Sequence, residues 1–258
     1  MPKTALITGA SSGIGAAIAR IHAAKNGNLV LVARRRDRLE ALKSELEEKH
    51  GVDVHITVED LTEAEAPQRV YGEVLASGIE IDYLINNAGL GARGLFHEMA
   101  WEQSLSMIQL NAVALAGLTR AILPEMVARN AGRILNVTST AAEMPGPLQA
   151  IYFATKGFAA YLSNALVEEL RDTNVTVTNL MPMATATEFA EVAGMEGTKL
   201  FANTATARAV AKDGYAAMLR GDMDVYGGIT TKRRVMQAIL KAMPKRAALR
   251  AVRKAQEA

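Results

Sequence analysis

Thr8-Gly9-Ala10-Ser11-Ser12-Gly13-Ile14-Gly15 stands between an apolar run, Thr4 to Thr8, and a stretch with helical spacing from Ile14 to Ala24. Three glycines in a strand-to-helix turn let the backbone take positive φ and come close to a ligand. The helix after the turn points its unpaired N–H groups and the positive end of its dipole at the same spot, which suits a pyrophosphate. The spacing is Gly-x3-Gly-x-Gly, not the Gly-x-Gly-x2-Gly of the common dinucleotide fingerprint. Taken alone, the stretch is either a tight loop or a phosphate cradle. Its place after the first strand, and the order of the later elements, favour the cradle.

Outward from this turn, strand and helix alternate. Asn28–Val32 reads as a second strand, and Arg34, Arg35, Arg36 and Arg38 open a helix with Leu39, Leu42 and Leu46 on one face. Residues 52–58 form a third strand, closed by Asp60-Leu61. Thr62-x-x-Glu65 resembles a capping box for the next helix, with Pro67 blurring its start. Further strands lie at 81–85, 133–137 and 175–180, the last stopped by Pro182. Between them lie a long helix, Trp101 to about Arg129, kinked near Pro124, and a second helix from Ala150 to Arg171. Six alternations demand right-handed crossovers and a parallel sheet covered on both faces, an α/β doubly wound domain. Asp224-Val225-Tyr226 adds a short edge strand, for a sheet of about seven. In such sheets ligands bind outside the carboxyl ends of the strands, where the polar clusters at 8–15, 34–36, 60–61, 86–89 and 139 fall.

Composition narrows the function classes. The 258 residues are half hydrophobic, with a net charge of +2 and no cysteine. Disulfides and thiolate chemistry are therefore excluded, and the net charge carries no nucleic-acid footprint. The four histidines show no ligand spacing, so no metal is expected. The chain enters a strand at once, leaving no room for a signal peptide, and no apolar run approaches the ~20 residues of a membrane span, so no spanning segment is expected. A cytoplasmic protein is expected.

Tyr152 and Lys156 stand four apart on one helical face. An ammonium beside a phenol favours phenolate and lowers a pKa that is otherwise about 10, which would make Tyr152 usable as a general acid. Ser139, 13 residues earlier at the end of the fifth strand, could hold a substrate oxygen while Tyr152 protonates it. Either feature alone also reads as a surface pair or a turn hydroxyl.

Together, Thr8–Gly15, Asp60-Leu61, Asn86-Asn87-Ala88-Gly89, Asn111, Ser139 and Tyr152-x3-Lys156, in this order and spacing, resemble the short-chain dehydrogenase/reductase family over residues 3 to 190. The resemblance implies a Rossmann-type domain and an NAD(P)-dependent oxidoreductase. In it Ser139 would orient the carbonyl, Tyr152 donate the proton, and Lys156 hold the nicotinamide ribose. Asn111 would anchor a water between that lysine and solvent. The cofactor would be held by Gly9, Ser11, Ser12, Gly13, Ile14 and Gly15, by Asp60 and Leu61 at the adenine, and by Asn87, Ala88 and Gly89. Tyr152, Lys156, Pro182 and Thr187 would complete that site.

Charge argues for the form of the cofactor. An NAD site offers a carboxylate to the ribose 2′-OH at the end of the second strand. Here Ala33 is followed by arginines, and a guanidinium suits a 2′-phosphate, so NADP(H) is expected with Arg34 the main contact and Arg35 a second. The family's Pro-Gly after the sixth strand is Pro182-Met183 here, which restricts the backbone.

Residues 183–203 are expected to form an irregular lid. Ser139, Met144, Gln149 and Met183 are the candidate substrate contacts, with Leu90, Gly91 and Phe189 nearby. Arg93 and Glu143 either read a polar group or face solvent. A small to medium apolar ketone or aldehyde fits this lining. The alternatives are a reductase of lipid carbonyls at a membrane and a dinucleotide-binding sensor without turnover.

Residues 1–228 thus form the nucleotide-binding domain and 229–258 a basic amphipathic C-terminal extension, read as a helix. From Lys232 on, nine Lys/Arg face one acid, with Val235, Met236, Ile239, Leu240 and Met243 at helical spacing. This tail either lies on an anionic membrane surface or packs on its own domain or a partner subunit. The family resemblance implies a homodimer or homotetramer through the long helices at 101–129 and 150–171.

Overall fold

The computed structural model describes residues 2–198, 201, 203–229, 239 and 243–257. Seven parallel strands form one sheet: β1 (Thr4–Thr8), β2 (Asn28–Ala33), β3 (Val54–Val58), β4 (Tyr83–Asn86), β5 (Gly132–Val137), β6 (Val175–Pro182) and an edge strand (Asp224–Gly227). Their order is β3-β2-β1-β4-β5-β6-edge, so the sequence direction reverses between β1 and β4. Register is set by pairs such as Ile7↔Leu31, Ile7↔Ile85 and Asn86↔Asn136.

Strand residues alternate between two cores because successive side chains point to opposite faces. Ala5, Ile7, Leu29 and Leu31 pack with α1 (Gly13–Ala23), α2 (Arg36–His50) and a later helix (Ala207–Arg220). Leu6, Val30, Val32 and Leu84 face the other way, against α3 (Ala66–Ala76) and α5 (Leu115–Ala128). Both faces are apolar, as a fully covered parallel sheet requires. Polar side chains stitch the sheet centre to its covering helices. Asn86 Nδ2 donates to Asn136 Oδ1 (2.9 Å) and Thr119 Oγ1 (3.1 Å), and Asn136 Nδ2 donates to Ser163 Oγ (2.8 Å).

Several boundaries differ from expectation. Asp60 Oδ1 accepts from Thr62 N and Oγ1, so the expected capping box does not form, and α3 starts at Ala66 with no side-chain cap. The helical run Trp101–Ala128 continues through Pro124. Its irregularity is a π-helical turn, Gln109–Ala114, between α4 (Trp101–Ile108) and α5. That run, at 28 residues, is also long and apolar enough to cross a membrane by length and composition. In this fold its buried side chains cover the sheet. α6 (Ala150–Glu169) packs beside it.

Among its described residues, the expected irregular lid contains short regular elements. β7 (Thr185–Ala186) pairs in parallel with β8 (Ala205–Thr206), and α7 (Phe189–Val192) lies between them. α8 (Ala207–Arg220) comes next, then the edge strand, now β9, and α9 (Lys245–Gln256). Strand β6 runs two residues past the expected Leu180 and ends at Pro182, the residue expected to stop it.

Candidate active site

A cavity of about 510 Å³ opens over the carboxyl ends of the strands. The sheet directs the loops after β1 to β6 to this rim, as the reversal of strand order between β1 and β4 predicts.

At one end lies the glycine turn. Gly9 and Gly13 have φ of 64° and 56°. A Cβ on Gly9 would stand 2.8 Å from Asn87 Nδ2, and one on Gly15 2.5 Å from the same atom. The first and third glycines therefore admit Asn87, whose Nδ2 donates to Thr8 O (2.8 Å) and Gly9 O (3.2 Å). Thr8 Oγ1 accepts in turn from the N–H groups of Asn87 and Ala88. Gly13 faces Thr187 of the lid, where a Cβ would meet Cγ2 at 3.0 Å. Ser12 is the N-cap of α1 but makes no side-chain cap bond, which leaves the first turn's N–H groups open for an anion. Ile14 lines the cavity, whereas Gly15, one of the expected cofactor contacts, is not part of the lining.

Arg34, Arg35, Asp60 and Leu61 line the same end. Arg34 Nη1 is 3.6 Å from Asp60 Oδ2 and stays largely exposed. Burial raises the Asp60 carboxyl, but the Thr62 bonds and the Arg34 charge outweigh it and the net shift is downward. Arg35 is the more deeply engaged of the two. It donates to Ser11 Oγ (3.1 Å), Ser12 Oγ (3.0 Å) and Glu188 Oε2 (2.8 Å). Glu188 also pairs with Arg38, and hydrogen bonds from Arg38 and Arg35 hold its carboxyl down at about 2. Sequence reading missed Glu188, because an ion pair spanning about 150 positions leaves no local spacing.

At the other end are Ser139, Tyr152 and Lys156. Tyr152 and Lys156 are 8% and 6% exposed, with Lys156 Nζ 5.9 Å from the phenol ring centre. The expected lowering of the Tyr152 pKa by Lys156 is not what the protein has. Burial pushes the phenol up to about 12, with only the Ser139 hydroxyl acting the other way. Burial likewise pushes Lys156 down to about 8, and its Nζ donates to Val137 O at 2.9 Å. Ser139 Oγ accepts from Ala141 N (3.0 Å), capping a 3-10 turn, and its hydroxyl is also hydrogen-bonded to Tyr152.

Asn111 sits in the π turn, 2% exposed and behind the cavity wall. Its Oδ1 accepts from Leu90 N (2.9 Å), and its Nδ2 donates to Leu90 O (2.8 Å) and Thr155 Oγ1 (3.0 Å). Both amide protons are used, so Asn111 fixes the loop after β4 and leaves at most one lone pair for a water. Gly89 bridges the two regions, since a Cβ there would lie 3.3 Å from Lys156 Nζ and 3.4 Å from Asn111 Oδ1. Asn87, Ala88 and Gly89 themselves line the cavity.

Met144, Gln149, Pro182, Met183 and Thr187 all reach the cavity, as do Leu90 and Phe189. The Phe189 ring centre is 5.4 Å from that of Tyr152, and a Cβ on Gly91 would collide with Phe189. Arg93 and Glu143 are not part of the lining; Glu143 accepts from Tyr226 Oη at 2.5 Å.

The last helix of the tail packs on its own domain, the second of the two readings its sequence allows. Val252 and Gln256 are the buried residues of α9, and both line the cavity. Val235, Met236 and Leu240 lie outside the described residues, Ile239 is exposed and Met243 half-buried. The surface facing α9 carries no signal in its sequence, so the place where this helix docks could not be read from the chain.

Comparison with known proteins gives the lineage. The family model described as short chain dehydrogenase matches residues 3–196. The NADP-dependent 3-hydroxy acid dehydrogenase YdfG of Salmonella typhi is 38% identical over 190 residues, 72% of this chain and 75% of that protein. The very-long-chain 3-oxoacyl-CoA reductase of Anas platyrhynchos is 31% identical over 194 residues, 73% of this chain but only 61% of the relative's length. Among solved structures, a short-chain dehydrogenase from Sphingobium yanoikuyae in complex with NADPH superposes with a TM-score of 0.83 at 31% identity. That match covers 95% of this chain and 97% of the other. With its sheet order, its glycine turn and its Ser139, Tyr152 and Lys156 in one cavity, the chain belongs to the short-chain dehydrogenases.

Proposed function

We propose that the protein is a carbonyl reductase that interconverts a ketone or aldehyde and its alcohol on a small to medium, largely apolar substrate. The observation that carries this reading is the convergence of Ser139, Tyr152 and Lys156 with the glycine cradle in one cavity.

The cofactor is NADP(H). The cradle fits a dinucleotide: two glycines at positive φ, an uncapped helix start, and Ser11, Ser12 and Arg35 grouped beside it. Arg34 and Arg35 stand where β2 ends without a carboxylate, which suits a 2′-phosphate. The NADP-dependent relative and the NADPH-bound neighbour support the same choice. When bound, the cofactor supplies or accepts the hydride.

The chain's own residues do the rest. The Ser139 hydroxyl donates to the carbonyl oxygen and holds it beside the phenol. Tyr152 keeps its proton until that oxygen becomes basic, and its high pKa ensures that the proton is present at neutral pH. Lys156 brings positive charge next to Tyr152 and steadies the phenolate left behind. Asn111 acts through the Leu90 backbone and Thr155, as a positioning residue. Phe189, Met144 and Met183 supply the apolar wall.

Residues 1–228 carry the fold and lid, and 229–258 an extension whose helix α9 closes the cavity. A homo-oligomer is proposed on the exposed Trp101, Leu105, Val113, Phe158 and Tyr161, which lie on the Trp101–Ala128 run and α6.

The test uses cofactor absorbance, read against a panel of ketones and aldehydes. Oxidation of NADPH, at least tenfold faster than NADH at equal subsaturating concentration, is the expected result. Tight NADPH binding with no turnover of any carbonyl would instead favour a sensor.

A further inference from the structure

Helix α9 brings to the cavity the one face of itself that is not charged. Ala251, Val252, Ala255 and Gln256 line the space, and Gln256 is 1% exposed. Its Oε1 and Nε2 are both buried and neither has a hydrogen-bond partner among the described residues. Gln149, three residues before Tyr152, is 3% exposed on the same lining, and its Nε2 is also unpartnered. Burying an amide without a hydrogen-bond partner is costly, so two such glutamines on the lining of one cavity are poorly explained by folding alone. They are explained by a ligand group that meets them.

The charge of the lining says what that group is. Among the described residues, the cations on the cavity are Arg34, Arg35 and Lys156. Arg34 faces Asp60 and Arg35 is tied to Glu188, both at the nucleotide end, while Lys156 is bonded to Val137 O beside the phenol. Among the described residues, no hydrogen bond joins any of these three to either glutamine. A carboxylate placed there would lose its hydration without a counter-charge, whereas a hydroxyl, ester or amide would find both donors and an acceptor.

We propose that Gln149 and Gln256 form a neutral polar subsite, by which the enzyme selects carbonyl substrates bearing a second, uncharged polar group away from the reacting carbonyl. This rests on the carbonyl-reductase reading. It also gives α9 a role in specificity, from a part of the chain beyond the residues the family model matches.

The test uses the full chain carrying Tyr152→Phe and loaded with NADPH, so that ketones bind without reacting. Methyl ketones of several chain lengths, each ending in a methyl, a primary alcohol or a carboxylate, are titrated by calorimetry. At the best length, the alcohol-ended ketone is expected to bind about 5- to 10-fold tighter than the methyl-ended one, and the carboxylate-ended one weakest. Adding Gln256→Leu should erase the alcohol's advantage, leave NADPH affinity unchanged, and hold or raise the thermal midpoint. Gln149→Leu should reduce the same advantage. The proposal is overturned if the carboxylate binds best, if the advantage survives both substitutions, or if no ketone binds. It is also overturned if Gln256→Leu weakens NADPH, which would put that amide on the cofactor. Failure of the wild-type chain to reduce any carbonyl would count against the reductase reading only, since the binding comparison needs no turnover.

Discussion

At the scale of single residues, burial dominates the chemistry. Tyr152 and Lys156 were legible as a pair from their spacing, but not the direction of their titration. Spacing reveals adjacency, whereas the pKa depends on how much water is excluded. Lys156, held at about 8 by burial, is charged below that pH and increasingly neutral above it. An anionic cofactor prefers the ammonium, so its binding should draw a proton onto Lys156. Calorimetry at pH 8 to 8.5 in buffers of different ionisation enthalpy should show net proton uptake on NADPH binding. Lys156→Met should lack it, and NADPH affinity of the wild type should fall as pH rises through 8.

At the scale of elements, the π turn is the piece on which the site's geometry turns. It places Asn111 against both backbone groups of Leu90 and against Thr155 on α6, so that one side chain joins the loop after β4 to the catalytic helix. Asn111→Ala would strand these buried groups and should cost about 2–3 kcal/mol in urea unfolding, with kcat falling more than KM rises. An equal rise in KM with kcat intact would show that the loop matters for substrate binding alone. The strands were readable because their apolar residues serve two covered faces. The π turn was not, since α and π backbones accept the same residues. Nor was the docking of α9. A basic amphipathic helix announces an apolar stripe without saying whether lipid, a partner or its own cavity covers it.

At the scale of the molecule, β1 and its neighbours are held at their amino ends by a second buried group. His22 is 2% exposed, with Nδ1 2.8 Å from Tyr215 Oη and Nε2 2.9 Å from Lys3 O. Burial lowers its pKa below the ordinary value of 6.5. The unfolded chain therefore takes up a proton that the folded one refuses, and stability should fall as pH drops below about 6.5 toward the folded pKa. Thermal midpoints between pH 7.5 and 5.5 should show this decline. His22→Gln should be less stable at pH 7.5 but flatter across the window; an unchanged slope would assign the decline to other groups.

The central claim is that Tyr152 gives the proton while the rest of the cavity binds and orients. Its most direct test is the Tyr152→Phe chain, measured side by side for carbonyl reduction and for NADPH affinity. Turnover should fall by about 10²–10⁴-fold with the NADPH Kd within a factor of two of wild type. Reduction at a near wild-type rate by the phenylalanine variant would contradict the account.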